Sequence, residues 1–163
     1  LIIVLTMQNL IRIRKAKLKD AKEIAQISLD FLKQHSRYSP LDPINFPTIK
    51  KEILSWQKLI KNKKYTVFVA EVNGDVAGLV SLFFPKRLPF KRIQNVGEIE
   101  VLAVHKNERK NNIGTLLLKK AISFFRSKKV RYIQCNVRLK NPALEFWKKR
   151  GFKEFDVRLF RRI

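Results

Sequence analysis

Val101-Leu-Ala-Val-His-Lys-Asn-Glu-Arg-Lys-Asn-Asn-Ile-Gly-Thr115, continued by Leu116-Leu-Leu-Lys-Lys-Ala-Ile122, runs from an apolar strand pattern through a basic Asn/Gly turn into a helical pattern. A turn that opens onto a helix leaves backbone N–H groups unpaired at the helix start, and the helix dipole adds partial positive charge there. Arg109 and Lys110 add full charges. Such a turn suits a phosphate or a diphosphate. It carries neither a G-x-G-x-x-G fingerprint nor the Gly-Lys-Ser/Thr of a Walker loop. Alone, therefore, it does not separate an anion cradle from an ordinary strand–helix connection.

Upstream of the cradle, Leu10–Arg14 alternates apolar and basic residues and reads as a strand. From Leu18 to about Gln34, Ala21, Ile24, Ala25, Phe31 and Leu32 recur at helical spacing, with Asp20 and Glu23 near the start, where the dipole favours them. Pro40, Pro43 and Pro47 make Ser36–Pro47 a loop. A second helix is expected over Thr48–Lys61. Tyr65–Val72 and Asp75–Phe84 read as strands joined at Asn73-Gly74, a hairpin signal. A basic loop, Pro85–Gln94, leads to a strand over Gly97–His105. Downstream, the pattern predicts a helix over Ile113–Ser127, a strand over Val130–Val137, a short helix over Pro142–Arg150 ended by Gly151, and a last strand over Phe152–Arg161. Hairpins give antiparallel pairs and crossover helices give parallel ones. The fold class is therefore α/β (α+β): a single domain with a mixed, mostly antiparallel sheet flanked by helices.

Composition narrows the setting. With 163 residues and 45% hydrophobic residues, the chain is large and apolar enough for one domain with a real core. Cys135 is the only cysteine, which excludes an intrachain disulfide and a Cys-rich zinc site; no metal is expected. Leu1-Ile-Ile-Val-Leu-Thr6 is too short to cross a membrane and has no basic segment before it. Residues 1–9 read as an N-terminal extension or a misassigned start, with Met7 the alternative first residue, and residues 10–163 as the domain. The expectation is a cytoplasmic protein with no membrane contact.

The net charge of +23, from 36 Lys and Arg against 13 acidic residues, is not the Lys-plus-Glu richness of heat-adapted proteins. It points to a polyanionic partner: a phosphate-bearing cofactor, a nucleic acid or ribosomal surface, or an acidic protein. The bland alternative is a solvated basic face.

The order of elements, with two motifs, resembles the GCN5-related N-acetyltransferase (GNAT) superfamily. Leu102-Ala103-Val104 is similar to the triplet that ends that family's cofactor strand. Arg109-Lys-Asn-Asn112-Ile-Gly114 is similar to its Arg/Gln-x-x-Gly-x-Gly/Ala turn. Ala143-Leu-Glu-Phe146-Trp147-Lys-Lys-Arg-Gly151-Phe152 is similar to its second motif. The resemblance covers the chain from about Leu10 to its end. Departures from the pattern are Asn112 for the first motif glycine, Thr115 for a smaller residue, and Trp147 for the tyrosine that protonates the departing thiolate. Asn is the residue after Gly that best tolerates a left-handed backbone, so the turn is expected to form. Indole N–H is no acid at useful pH, so the general acid is left unnamed; Tyr38 is one candidate.

The resemblance implies acetyl-CoA as acetyl donor and an amine acceptor: a peptide, a protein or a small molecule. It implies that the strand before the cradle and the next parallel strand splay apart. The pantetheine arm would then pair with the backbone of Leu102, Ala103 and Val104. The diphosphate would sit on the turn of Arg109, Lys110, Asn111, Asn112, Ile113, Gly114 and Thr115. The family's loop Asn is out of register: Lys140 holds its place and Asn141 follows, and Asn141 is kept as the cofactor contact.

An acceptor amine must lose a proton before it attacks, which calls for a base. Strand alternation puts Glu98 and Glu100 on one face, with Ile99 and Val101 on the other. The histone-type members carry a base at the position matched by Glu98, so Glu98 comes first and Glu100 second. The alternative is that both are ion-paired within the Lys/Arg excess. Gly97-Glu-Ile-Glu-Val-Leu-Ala-Val104 also resembles the branch that acetylates protein N-termini. The rival to an enzyme is a binding module on the same fold that holds CoA or a polyanion without transfer. His105 reads as a strand-end surface residue, Cys135 as packing on an interior strand, and Trp56 and Phe46 as core.

Overall fold

The computed structural model describes residues 11–38, 45–109, 111–159 and 161. The start of the first predicted strand at Leu10, the prolines at 40 and 43, and Lys110 lie outside the described residues, as do residues 1–9.

The predicted hairpins build the sheet. Strands β1 (Ile11–Lys15), β2 (Tyr65–Val72), β3 (Asp75–Phe83), β4 (Val96–Val104) and β5 (Tyr132–Cys135) lie in sequence order. The first three pairings are antiparallel and β4–β5 is parallel. At the β2–β3 turn Asn73 has φ +52° and Gly74 φ +98°, the left-handed pair that a tight hairpin needs. Helices α1 (Ala21–Ser36), α2 (Ile49–Lys61), α3 (Ile113–Ser127) and α4 (Ala143–Lys148) complete the chain. Thr48 caps α2 by accepting the Lys51 N–H at 3.4 Å. Gly151, at φ +84°, lets the chain reverse after α4, where the Phe152 N–H reaches the Trp147 carbonyl at 3.2 Å.

Two apolar layers sandwich the sheet. On one face Phe68, Val80, Leu82 and Ile99 pack under Leu117, Ala121 and Phe125 of α3. On the other, Val67, Val69, Leu79 and Ala103 pack against Ile24 and Ala25 of α1 and Trp56 of α2. Each Val, Leu, Ile or Phe among them contributes roughly 1.5–3 kcal/mol by leaving water, and each Ala less. Trp56 is core, as expected, and its indole N–H donates to buried Glu52 at 2.9 Å. Phe46 is not core: it is 45% exposed.

Strict alternation fails in β4. Ser81 pairs with Val101 and Leu82 with Ile99, which leaves Glu100 as the extra residue of a bulge. Ile99 joins the α3-side layer while Val101 packs into the α1/α2-side layer. The expectation that Ile99 and Val101 share a face is therefore corrected; the inserted residue reverses the parity.

The predicted last strand, Phe152–Arg161, is also corrected. Residues 152–159 form no strand. Instead the Val157 N–H bonds to its own neighbour, Asp156 Oδ1, at 2.8 Å, and a backbone group committed locally cannot extend a ladder. Consequently β5, read from the sequence as interior, is the outermost strand among the described residues. Cys135 there is half-buried and packs against the α3-side layer.

Candidate active site

Parallel pairing between β4 and β5 runs only from Val96–Tyr132 to Ile99–Cys135. Beyond it, Glu100–Val104 has no strand partner on that side among the described residues, so the strands part just where the bulge sits. A cleft of 430 Å³ opens beside the unpaired stretch. Leu102, Ala103 and Val104 line it, together with Arg109, Asn112, Ile113, Gly114, Thr115 and Asn141. Nine of the expected cofactor-binding positions thus converge on one cavity. Asn111 does not line it; its amide donates to Glu108 Oε2 at 3.1 Å.

The cradle forms as its composition suggested. Asn112 takes φ +63° and ψ 5°, the left-handed conformation foreseen for a glycine replacement. The first intrahelical bond of α3 runs from the Leu116 N–H to the Asn112 carbonyl at 3.1 Å. The N–H groups of Ile113, Gly114 and Thr115 precede it and have no helical acceptor. Arg109 braces the turn: its Nε donates to the Val104 carbonyl at 3.3 Å and its Nη2 to Gln34 Oε1 at 3.0 Å.

The opposite wall was not legible as such. Ile27, Phe31, Gln34 and His35 recur at helical spacing on α1 and line the cleft, as do Phe146, Trp147 and Arg150 from the second motif. Asn141 is 4% exposed, with Oδ1 accepting the Ala143 N–H at 2.9 Å and Nδ2 lying 3.3 Å from His35 Nε2. The amide therefore orients α4, and the geometry asks His35 Nε2 to be an acceptor. Burial, then the Arg138 charge, pushes the His35 pKa below its ordinary value, which favours the neutral ring. Trp147 is buried, edge-on to Phe146 and Phe152 at 5.4 and 5.0 Å. It fills the wall as an apolar wedge.

Neither Glu98 nor Glu100 lines the cleft. Glu98 lies within the paired part of β4, where Gln134 Nε2 donates to one carboxylate oxygen at 2.7 Å and Asn136 Nδ2 to the other at 3.2 Å. Glu100, on the bulge, accepts from the Ser81 hydroxyl at 3.1 Å. Partial burial pushes the Glu100 carboxyl up, the Ser81 bond pulls it back in part, and the Glu98 charge adds to the rise. Neither carboxylate forms an ion pair with Lys or Arg among the described residues. Tyr38 follows α1 at the edge of residues 39–44, which are outside the described set. His105 caps a 3₁₀ turn at Lys106–Glu108, accepting the Asn107 N–H at 3.4 Å, and does not line the cleft. Among the described residues no three His, Cys, Asp or Glu side chains cluster as a metal site, and no helix is long and apolar enough to cross a membrane.

Comparison with known proteins bears on the same region. The model of the acetyltransferase (GNAT) family matches residues 28–152, which include the cradle and the second motif. The chain is 32% identical over 116 residues to an uncharacterized N-acetyltransferase of Methanocaldococcus jannaschii, a match covering 66% of this chain and 49% of that protein. The chain thus spans about half the length of that relative. It is 29% identical over 154 residues to an N-alpha-acetyltransferase of Sulfurisphaera tokodaii, covering 90% of this chain and 82% of that protein. The solved structure of a predicted acetyltransferase from Clostridium acetobutylicum, with acetyl-CoA, superposes with a TM-score of 0.73 at 19% identity, over 94% of this chain and 96% of that one. Together with the two motifs on one cleft, the family match settles the membership: the chain belongs to the acetyltransferase (GNAT) family.

Proposed function

We propose that the protein transfers the acetyl group of acetyl-CoA to a primary amine by direct attack in a ternary complex. The observation that carries this reading is the coincidence of the strand gap, the cradle and the second motif on a single cleft. The residues present fit the donor. Three first-turn amides and the guanidinium of Arg150, whose buried Nε lacks a partner, suit a diphosphate. The open backbone of Leu102–Val104 suits an amide-bearing arm.

Acetyl-CoA supplies the activated acetyl group. The chain's own part is to hold the donor, align the acceptor and take a proton. In this reading, backbone amides near Leu102–Val104 polarise the acetyl carbonyl in the gap. Glu98 accepts the proton of the incoming ammonium through a water, since it stands upstream of the cleft rather than in it. Glu100, held higher in pKa, is the second candidate. The acceptor we favour is a protein N-terminus or a lysine. The Sulfurisphaera relative is named an N-alpha-acetyltransferase, and the Gly97–Val104 strand resembles that branch.

Trp147 favours a second reading, a module that binds CoA or a polyanion without transfer, because it replaces the expected acid. Incubation with labelled acetyl-CoA and a panel of N-terminal peptides, lysine peptides and small amines separates the two. Turnover that is lost in Glu98→Gln supports the transferase. Binding of CoA without turnover on any amine supports the module and overturns the transferase.

A further inference from the structure

Arg150 folds back over α4 toward the first turn of α3. Its Nη1 donates to the Phe146 carbonyl at 2.9 Å and its Nη2 to Thr115 Oγ1 at 2.6 Å. The guanidinium carbon lies 3.7 Å from the centre of the Phe146 ring. Its Nε is buried and has no hydrogen-bond partner among the described residues. Both acceptors are neutral, and Arg150 makes no ion pair among the described residues. Withdrawing a charge from water is costly unless an anion or a full set of acceptors compensates. Arg150 is half-buried, and its Nε, the atom fully out of water, has neither among the described residues.

Arg150 lines the cleft, and Thr115, its partner, belongs to the α3 turn whose N–H groups have no helical acceptor. Arg109 contributes the other guanidinium, tied instead to Gln34 of α1. The stacking on Phe146 fixes the plane of Arg150, and a fixed planar fork is what bidentate phosphate recognition needs.

We propose that Arg150 is a cofactor-binding residue, a pre-oriented guanidinium that clamps the donor's diphosphate against the first turn of α3. This rests on the acetyl-CoA reading above. It also deepens that reading. A site with this clamp selects acetyl donors that carry a diphosphate, and discriminates against acetyl groups on a bare pantetheine arm.

Calorimetric titration of the wild-type protein and Arg150→Met with acetyl-CoA and with S-acetylpantetheine tests the proposal, with melting curves to establish that each variant is folded. The expected result is a loss of about tenfold or more in acetyl-CoA affinity, with S-acetylpantetheine affinity changed less than about twofold. Arg150→Lys, which keeps the charge but not the fork, should lose about threefold for acetyl-CoA alone. It carries the comparison should the methionine variant not fold. Equal weakening for both ligands, or no weakening for either, overturns the proposal and leaves Arg150 a brace between helices. A wild-type protein that binds neither ligand removes the acetyl-CoA reading itself; wild-type binding with unaffected variants removes only the role of Arg150.

Discussion

Glu98 and Gln134 face each other across the parallel pair β4–β5, with Gln134 Nε2 donating to Glu98 Oε2 at 2.7 Å. One rung later, at Ile99 and Cys135, the pairing ends. The carboxylate is therefore held by amides one rung before the strands part, and amides orient an anion without neutralising it. On the proposed mechanism, Glu98→Gln lowers kcat by about 100-fold and leaves the KM for acetyl-CoA within about threefold. Steady-state kinetics on an accepted amine reads both. Loss in Glu100→Gln with no loss in Glu98→Gln would move the base to the bulge. Full activity in both variants would remove the carboxylates from the chemistry.

Asp20 stabilises the fold in a pH-dependent way. Burial pushes its carboxyl up, but hydrogen bonds from Arg14 at 2.7 and 3.0 Å and from the Lys17 N–H at 2.7 Å outweigh this, together with the Arg14 and Lys19 charges. The net result is a pKa below the ordinary 3.8. A depressed carboxylate contributes stability that is present above its unfolded value and lost as the pH falls through its folded value. Asp20→Asn should therefore cost about 2 kcal/mol at pH 7, where it leaves Arg14 with Glu71 as its remaining carboxylate partner. The gap between variant and wild type should close as the pH drops below 3.8. Urea melts across that range test it; a gap independent of pH contradicts the electrostatic account.

Gly97 is required by packing rather than by backbone conformation. A methyl group there would overlap the ring of Phe125, which closes α3 onto β4. Gly97→Ala should lower stability by about 2 kcal/mol through overpacking. Gly97→Ala with Phe125→Leu should recover part of that loss in a double-mutant cycle. Additive losses in thermal melts would show that the two sites do not meet.

Cys135 should be inert. Burial, and then the Glu98 charge, pushes its thiol up to about 12. The thiolate is the reactive form, so alkylation by iodoacetamide at pH 8 should be slow in the folded protein and fast in urea. Mass spectrometry of the labelled chain measures the ratio. Rapid labelling without denaturant would refute the buried-thiol environment.

Local features were legible in the sequence because a few neighbouring residues decide them. Asn73-Gly74 specified a turn with positive φ, and Asn112, the residue type after Gly that best tolerates it, specified a left-handed residue before α3. Thr48 and Gly151 marked helix ends for the same reason: capping is settled within one turn. The clustering of Leu102–Val104, Asn112–Thr115 and Asn141 on one cleft followed from two motifs whose separation matched the order of elements.

Other features depended on partners far along the chain. The Glu100 bulge is a register difference between β3 and β4, and alternation along β4 alone cannot reveal it. Phe152–Leu159 has strand composition, yet a strand exists only with a hydrogen-bonding neighbour, and here Asp156 takes the Val157 N–H locally. The face of α1 bearing Phe31 and His35 looked like any apolar stripe.

By itself, then, the sequence determined the strand–turn–helix cradle, the hairpin, the helix caps and the basic charge, because each is fixed by backbone preference or by counting. Only the tertiary structure decided where β4 and β5 separate, which face the glutamates take, and that Arg150 from α4 meets Thr115 of α3 within the cleft. Those are contacts between segments 35 residues or more apart in the chain. They are chosen by packing and desolvation across the whole sheet, not by any residue's immediate neighbours.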